Sequence, residues 1–214
     1  GEYNVAIGTT ALTANTTASY VTALGGNTLK ANTTGSGNTA VGTNAMESNT
    51  TGSSNTVMGW NALVTNTTGS NNLAMGVNTM FYNTTGYKNV ALGDYGLWAN
   101  TEGMENVAIS GNGSLYKNTT GSQNIAIGAA SLYNNETGNY NIAIGRSSLY
   151  SNTASNNVGI GHESLKSNTT GTDNVGVGYK ALNATTTGKD NAALGREALM
   201  SNTTGDYNIA IGSG

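Results

Sequence analysis

Asn38-Thr39-Ala40-Val41-Gly42, followed by Met46 and then by Asn49-Thr50-Thr51-Gly52, is one pass of a pattern that fills the whole chain. With its first Asn called position i, the register recurs at 4, 21, 38, 55, 72, 89, 106, 124, 141, 157, 174, 191 and 208. Ten of the twelve intervals are 17 residues; one is 18, with an extra residue near Ser110-Gly111, and one is 16, with a residue missing between Thr153 and Asn156. A fixed period of this length is the signature of stacked repeats rather than of a single core.

The positions differ in what they tolerate. Position i+1 is Val, Ile or Thr in eleven of thirteen copies, i+2 is Ala in ten, i+3 is apolar in all, and i+4 is Gly in twelve. Leu or Met stands at i+8 in every complete copy, with Leu115 counted after the inserted residue. Several Gly, Thr and Asn per copy and no apolar spacing of 3.6 exclude helix. Asn-Val-Ala-Ile-Gly alternates like a strand that ends in a corner glycine, and Asn-Thr-Thr-Gly is turn chemistry with Gly expected at positive φ. The repeat therefore predicts an all-β, parallel β-solenoid of 17-residue coils, about 12 to 13 in number, each with two short strands and two corners. Residues 1–214 form one repeat domain. One coil buries too little to offset the entropy of ordering it, so stacking about 4.8 Å apart must supply the rest, giving a rod on the order of 60 Å long. The chain begins and ends inside the pattern, at Gly1-Glu2-Tyr3-Asn4 and Ile211-Gly212-Ser213-Gly214, and reads as a piece of a longer fibre.

Composition narrows the function. The 214 residues include 31 Gly, no Pro and no Cys, with 9% charged residues and a net charge of -3. Without Cys there are no disulfides or thiolate sites, and a slightly acidic surface does not suit a nucleic-acid partner. No apolar run spans a bilayer, so no membrane insertion is expected.

Alternation makes a further prediction. If i+1 and i+3 fill the interior, Ala at i+2 lies outside as a charge-free stripe: Ala6, Ala23, Ala40, Ala74, Ala91, Ala108, Ala126, Ala143, Ala193 and Ala210. Such a stripe suits packing against another chain. A second stripe lies at i+9, where five consecutive coils carry Phe81, Trp98, Tyr116, Tyr133 and Tyr150. Exposed rings there could bind sugars or a partner protein; the competing reading is a ring ladder that stiffens the rod or fills a groove between subunits.

Catalytic and metal sites are not expected, nor a cofactor. His162, the single histidine, sits beside Glu163 at a variable surface position, and Asp173, Asp190 and Asp206 recur near Lys180 and Lys189 as a solvated charged edge. Sequons are numerous: Asn15, Asn32, Asn49, Asn66, Asn83, Asn118, Asn168 and Asn202, with Asn112, Asn135 and Asn183. They read as a by-product of the turn. Thr at i+12, from Thr16 to Thr203, forms another rank, of the kind that orders water on ice-binding solenoids.

The recurring N-V-A-I-G-x-x-[AS]-L resembles the head repeats of trimeric autotransporter adhesins, and the form extended by N-T-T-G resembles repeats of phage tail fibres and bacterial surface fibres. The likeness covers the whole chain, with a coil longer than the adhesins' by the Asn-Thr-Thr-Gly corner. It implies a left-handed β-roll, a homotrimer, an extracellular place on a virion tail or cell surface, and attachment to a host glycan or protein receptor. The expectation is a non-enzymatic adhesive shaft. Its rivals are a monomeric filament or matrix protein, a tailspike-like polysaccharide hydrolase and an ice binder.

Overall fold

A computed structural model describes residues 1–214. It is a parallel β-solenoid of about twelve turns: thirteen three-residue strands, from β1 (Val5–Ile7) to β13 (Ile209–Ile211), form one sheet whose spatial order is the sequence order. Like residues stack on like, as in Ala6 on Ala23 and Ile127 on Ile144. The 18- and 16-residue intervals leave the sheet in register, since Val107 still pairs with Ile125 and Ile142 with Val158. Both length changes are absorbed in the connecting segments.

Each coil has one strand, where the sequence predicted two. The segment through i+8 is a chain of overlapping turns, closed in the second coil by bonds from Lys30 N to Asn27 O and from Asn32 N to Leu29 O. The first residue of each of these turns is left-handed: Asn27 has φ 56° and Leu29 φ 50°. The same two positions are left-handed in coil after coil, Leu included, which costs roughly 1–2 kcal/mol per residue in isolation. The cost is offset because the left-handed turn aims Leu29, Met46, Leu63 and their successors into the interior, where they are fully buried. The corners belong to the ladder too. Of 142 backbone hydrogen bonds only 24 lie within the strands, and most of the others join a residue to the coil above or below.

The strand faces are the reverse of those predicted. Ala23, Ala40, Ala74, Ala91, Ala108, Ala126 and Ala143 are fully buried and Ala193 nearly so, while Leu24, Met58, Met75, Ile144, Val175 and Leu194 are exposed on the outer face. Ala210 is half-buried, and only Ala6, in the first coil, is exposed. The reason is volume. The coil is so thin that Ala at i+2, a small residue at i+7 and Leu at i+8 fill the gap between its walls. At Gly159 a Cβ would already sit 2.6 Å from Ser148 Oγ and 3.1 Å from Leu149 Cγ. That face takes one β-branched side chain, Val57, which is buried, and otherwise only Ala or Gly, so the bulk of the aliphatic residues turn outward.

Amides fill the rest of the interior. Asn at i+11 forms one column, in which Asn49 Nδ2 donates to Asn32 Oδ1 at 2.7 Å and to Gly52 O at 2.9 Å. Asn at i forms a second, in which Asn55 donates through its backbone N (2.9 Å) and its Nδ2 (3.1 Å) to Asn38 Oδ1 and closes on Gly69 O at 3.0 Å. Both columns are buried along most of the rod, which satisfies corner carbonyls that no strand partner reaches. The glycine of Asn-Thr-Thr-Gly is needed for this column rather than for positive φ. Gly52, Gly69 and Gly86 have no left-handed φ, but a Cβ on each would collide with the Asn column and the next coil's carbonyl.

Candidate functional surfaces

The stripe of small residues is inside the coil, so it cannot serve as a packing surface for another chain. The outward side chains belong to the opposite face of the sheet. Each of the thirteen strands presents two outward side chains, at i+1 and i+3, and none of them is charged. Where i+1 shrinks to Ala192, the face has an entirely apolar hollow of about 210 Å³ bordered by Val175, Leu194 and Ile209. The signal for this orientation was present in the sequence: i+2 is held to Ala or Gly in all coils but one, as a confined position must be, while i+1 and i+3 vary in size.

The i+9 stripe exists as a ring stack. Trp98 and Tyr116 are 4.9 Å apart and 6° from parallel, Tyr116 and Tyr133 5.0 Å and 6°, Tyr133 and Tyr150 5.3 Å and 12°. Phe81 meets Tyr82 edge-on, and Tyr82 meets Trp98 the same way at 4.7 Å. The five stripe residues are half-buried, and the inner rings cover each other's faces. What the ladder offers outward is ring edges and phenol oxygens. Burial pushes the Tyr116 phenol above its ordinary range, with Tyr133, Tyr95 and Tyr82 adding to the rise, so it stays a protonated donor.

A second ring and charge cluster was not anticipated. His162 is exposed and stacks on Tyr179 at 5.6 Å and 7°, and the Arg196 guanidinium lies 5.6 Å from the Tyr179 centroid. All three stand at i+5 of successive coils, a pattern visible in the sequence only once the register is known. Beside them Glu163 accepts from Lys166 Nζ at 2.6 Å and faces Lys180 Nζ at 3.8 Å. The Lys166 hydrogen bond is the main cause that holds Glu163 below its ordinary range. A depressed carboxyl stabilises the fold above its unfolded pKa, and that stabilisation is lost as pH falls through the folded value. Because the pair is solvent-screened, Glu163→Gln is expected to cost about 1 kcal/mol or less at neutral pH and nothing in strong acid, which urea titrations at several pH values would show.

The remaining polar ranks are committed to the coil itself. Thr33, Thr50, Thr67 and Thr84 each donate their hydroxyl to the carbonyl of the equivalent Thr or its counterpart one coil on, at 3.0–3.1 Å. Sequon residues Asn32, Asn49, Asn66, Asn83, Asn118, Asn135 and Asn168 are fully buried in the amide column. Asn15, Asn183 and Asn202 are half-buried, and Asn112 is exposed. Asp173 and Asp190 occupy the exposed left-handed position before i, while Asp206 sits one residue earlier and accepts from Lys189 N at 2.7 Å.

Fold and surfaces together define a tandem-repeat β-solenoid with one apolar sheet face and a half-buried aromatic ladder. No family model matches the sequence, and no curated protein or solved structure matches it.

Proposed function

We propose that the chain is the shaft of a non-enzymatic adhesive fibre, extracellular on a phage tail or bacterial surface, in which three chains wound left-handed pack their sheet faces around a common axis. The observation that carries the reading is the outward rank of aliphatic side chains at i+1 and i+3. Exposed apolar area of this length is costly on a monomer. Its ridges repeat at the strand spacing, and a surface of equal pitch is supplied most directly by a second copy of the same chain. The hollow at Ala192 would seat a larger side chain of a neighbour. A host glycan or protein receptor would then be met by the surfaces that point away from the axis.

Light scattering is the test. The shaft is expected at three chain masses, and a particle of one chain mass at micromolar concentration would remove the oligomer. Labelled shaft should also decorate host cells without shortening capsule or lipopolysaccharide; release of saccharide fragments would replace the adhesive reading with the hydrolase.

A further inference from the structure

The one coil of 18 residues interrupts the outer surface beside the aromatic ladder. Gly111 is the added residue, because Asn112 and Gly113 keep the backbone bonds of i+5 and i+6: Ala130 N donates to Asn112 O and Gly113 N to Asp94 O. In every other complete coil i+6 carries a side chain, from Thr10 and Asn27 to Lys180 and Glu197. Here it is Gly113, and the coil above offers only Ala130. The missing side chains leave a hollow of about 160 Å³ lined by Tyr95, Asn112, Gly113, Tyr116 and Tyr133.

The lining has a definite chemistry. Tyr95 lies 6.4 Å from Tyr116 but is tilted by 52°, so unlike Tyr116 and Tyr133 it has no parallel partner, and it is exposed. Asn112 is exposed, and its side-chain amide makes no hydrogen bond within the chain. None of the five lining residues is charged. The Lys117 ammonium lies 6.0 Å from the Tyr133 centroid but is not part of the lining, so a charged ligand finds no direct ion-pair partner in the hollow. The volume is that of about five waters, below the range of drug-sized pockets, and fits a single ring-sized group.

We propose that this hollow binds one pyranose residue of a neutral glycan, its apolar C–H face against Tyr95 and its hydroxyls on the Asn112 amide and the phenols of Tyr116 and Tyr133. The site would be where the adhesive shaft touches a glycan along its flank, and in that sense it rests on the reading above. Its chemistry is independent of oligomeric state.

Saturation-transfer NMR on the whole chain tests it, with methyl glucoside, methyl galactoside, methyl mannoside and methyl N-acetylglucosaminide as neutral probes and N-acetylneuraminic acid as the charged one. At least one neutral glycoside is expected to saturate with Kd of about 1 mM. Gly113→Asn should weaken it about tenfold, since Asn accepts the left-handed φ of 64° and its side chain refills the gap. Tyr95→Ala should do the same, and Tyr20→Ala, on a distant coil, should leave it unchanged. Unaltered thermal melts establish that the variants fold. The proposal is overturned if no neutral glycoside binds at about 20 mM, if only the charged sugar binds, or if both pocket variants bind as the parent does. Three chain masses with no glycoside binding would sink the pocket alone; one chain mass with binding would sink the trimer alone.

Discussion

Gly86→Ala is expected to destabilise the rod by at least about 3 kcal/mol and to split its unfolding into two transitions. A Cβ at Gly86 would collide with Asn83 Oδ1 while lying 2.5 Å from Gly103 O and 2.7 Å from Asn100 Nδ2. None of these atoms can yield alone. Asn83 donates to Asn66 Oδ1 at 2.8 Å and to Gly86 O at 3.0 Å, and Asn100 donates to Asn83 Oδ1 at 2.7 Å. Moving Asn83 therefore leaves amides of three coils unsatisfied in a dry interior. Because each coil contacts only its neighbours, the damage should separate the coils before Gly86 from those after it. Hydrogen exchange would locate the break, with protection lost around Asn66 to Gly103 and kept near both flanks. Gly26→Ala is the comparison: a Cβ there meets nothing within 4 Å, and stability should change by less than about 1 kcal/mol. Equal effects at the two glycines would contradict the role given to the amide column.

The second large effect separates the two faces of the strand. Ile127 and Ile144 pair in adjacent strands on the outer face, and Ile144 is exposed. Replacing both with Glu should leave the circular dichroism spectrum and melt nearly unchanged while reducing the particle from three chain masses to one. In the proposed trimer each carboxylate would be stripped of water without a partner, a penalty of several kcal/mol per ion. Ala126→Glu, one residue from Ile127, should instead break the solenoid at its own coil and strongly lower the melt, since Ala126 is fully buried against the Leu column and a charge there has neither space nor partner. The opposite pairing of results, a folded Ala126→Glu and an unfolded double variant, would mean that the aliphatic ranks point inward after all.

These two predictions mark where the sequence was legible and where it was not. The period, the strand at i+1 to i+3, the inward Leu at i+8 and the ladders of like residues followed from spacing alone, because stacking forces equivalent residues into contact. The face of the strand did not. The rule that larger aliphatic residues seek the interior presumes an interior that can hold them, and a thin coil of 17 residues that already buries Leu or Met at i+8 leaves the strand face, Val57 apart, room for Ala or Gly. The left-handed Leu29 and its equivalents were missed for a related reason. Nothing in local propensity favours that conformation, and only the tertiary demand to bury the side chain selects it. The ring ladder was legible as a rank of residues, but whether its faces were free depended on the coil spacing, which lets Tyr116 and Tyr133 cover each other.

The closed ring of hydrogen bonds around every coil also decides how the rod responds to force. These bonds run along the long axis, so a pull on its two ends loads a whole interface at once rather than one bond after another. While its interfaces hold, a coil pays out no length under tension. Such a rod would transmit load stiffly to a high threshold and then yield coil by coil, each freed turn releasing far more length than the rise it had occupied.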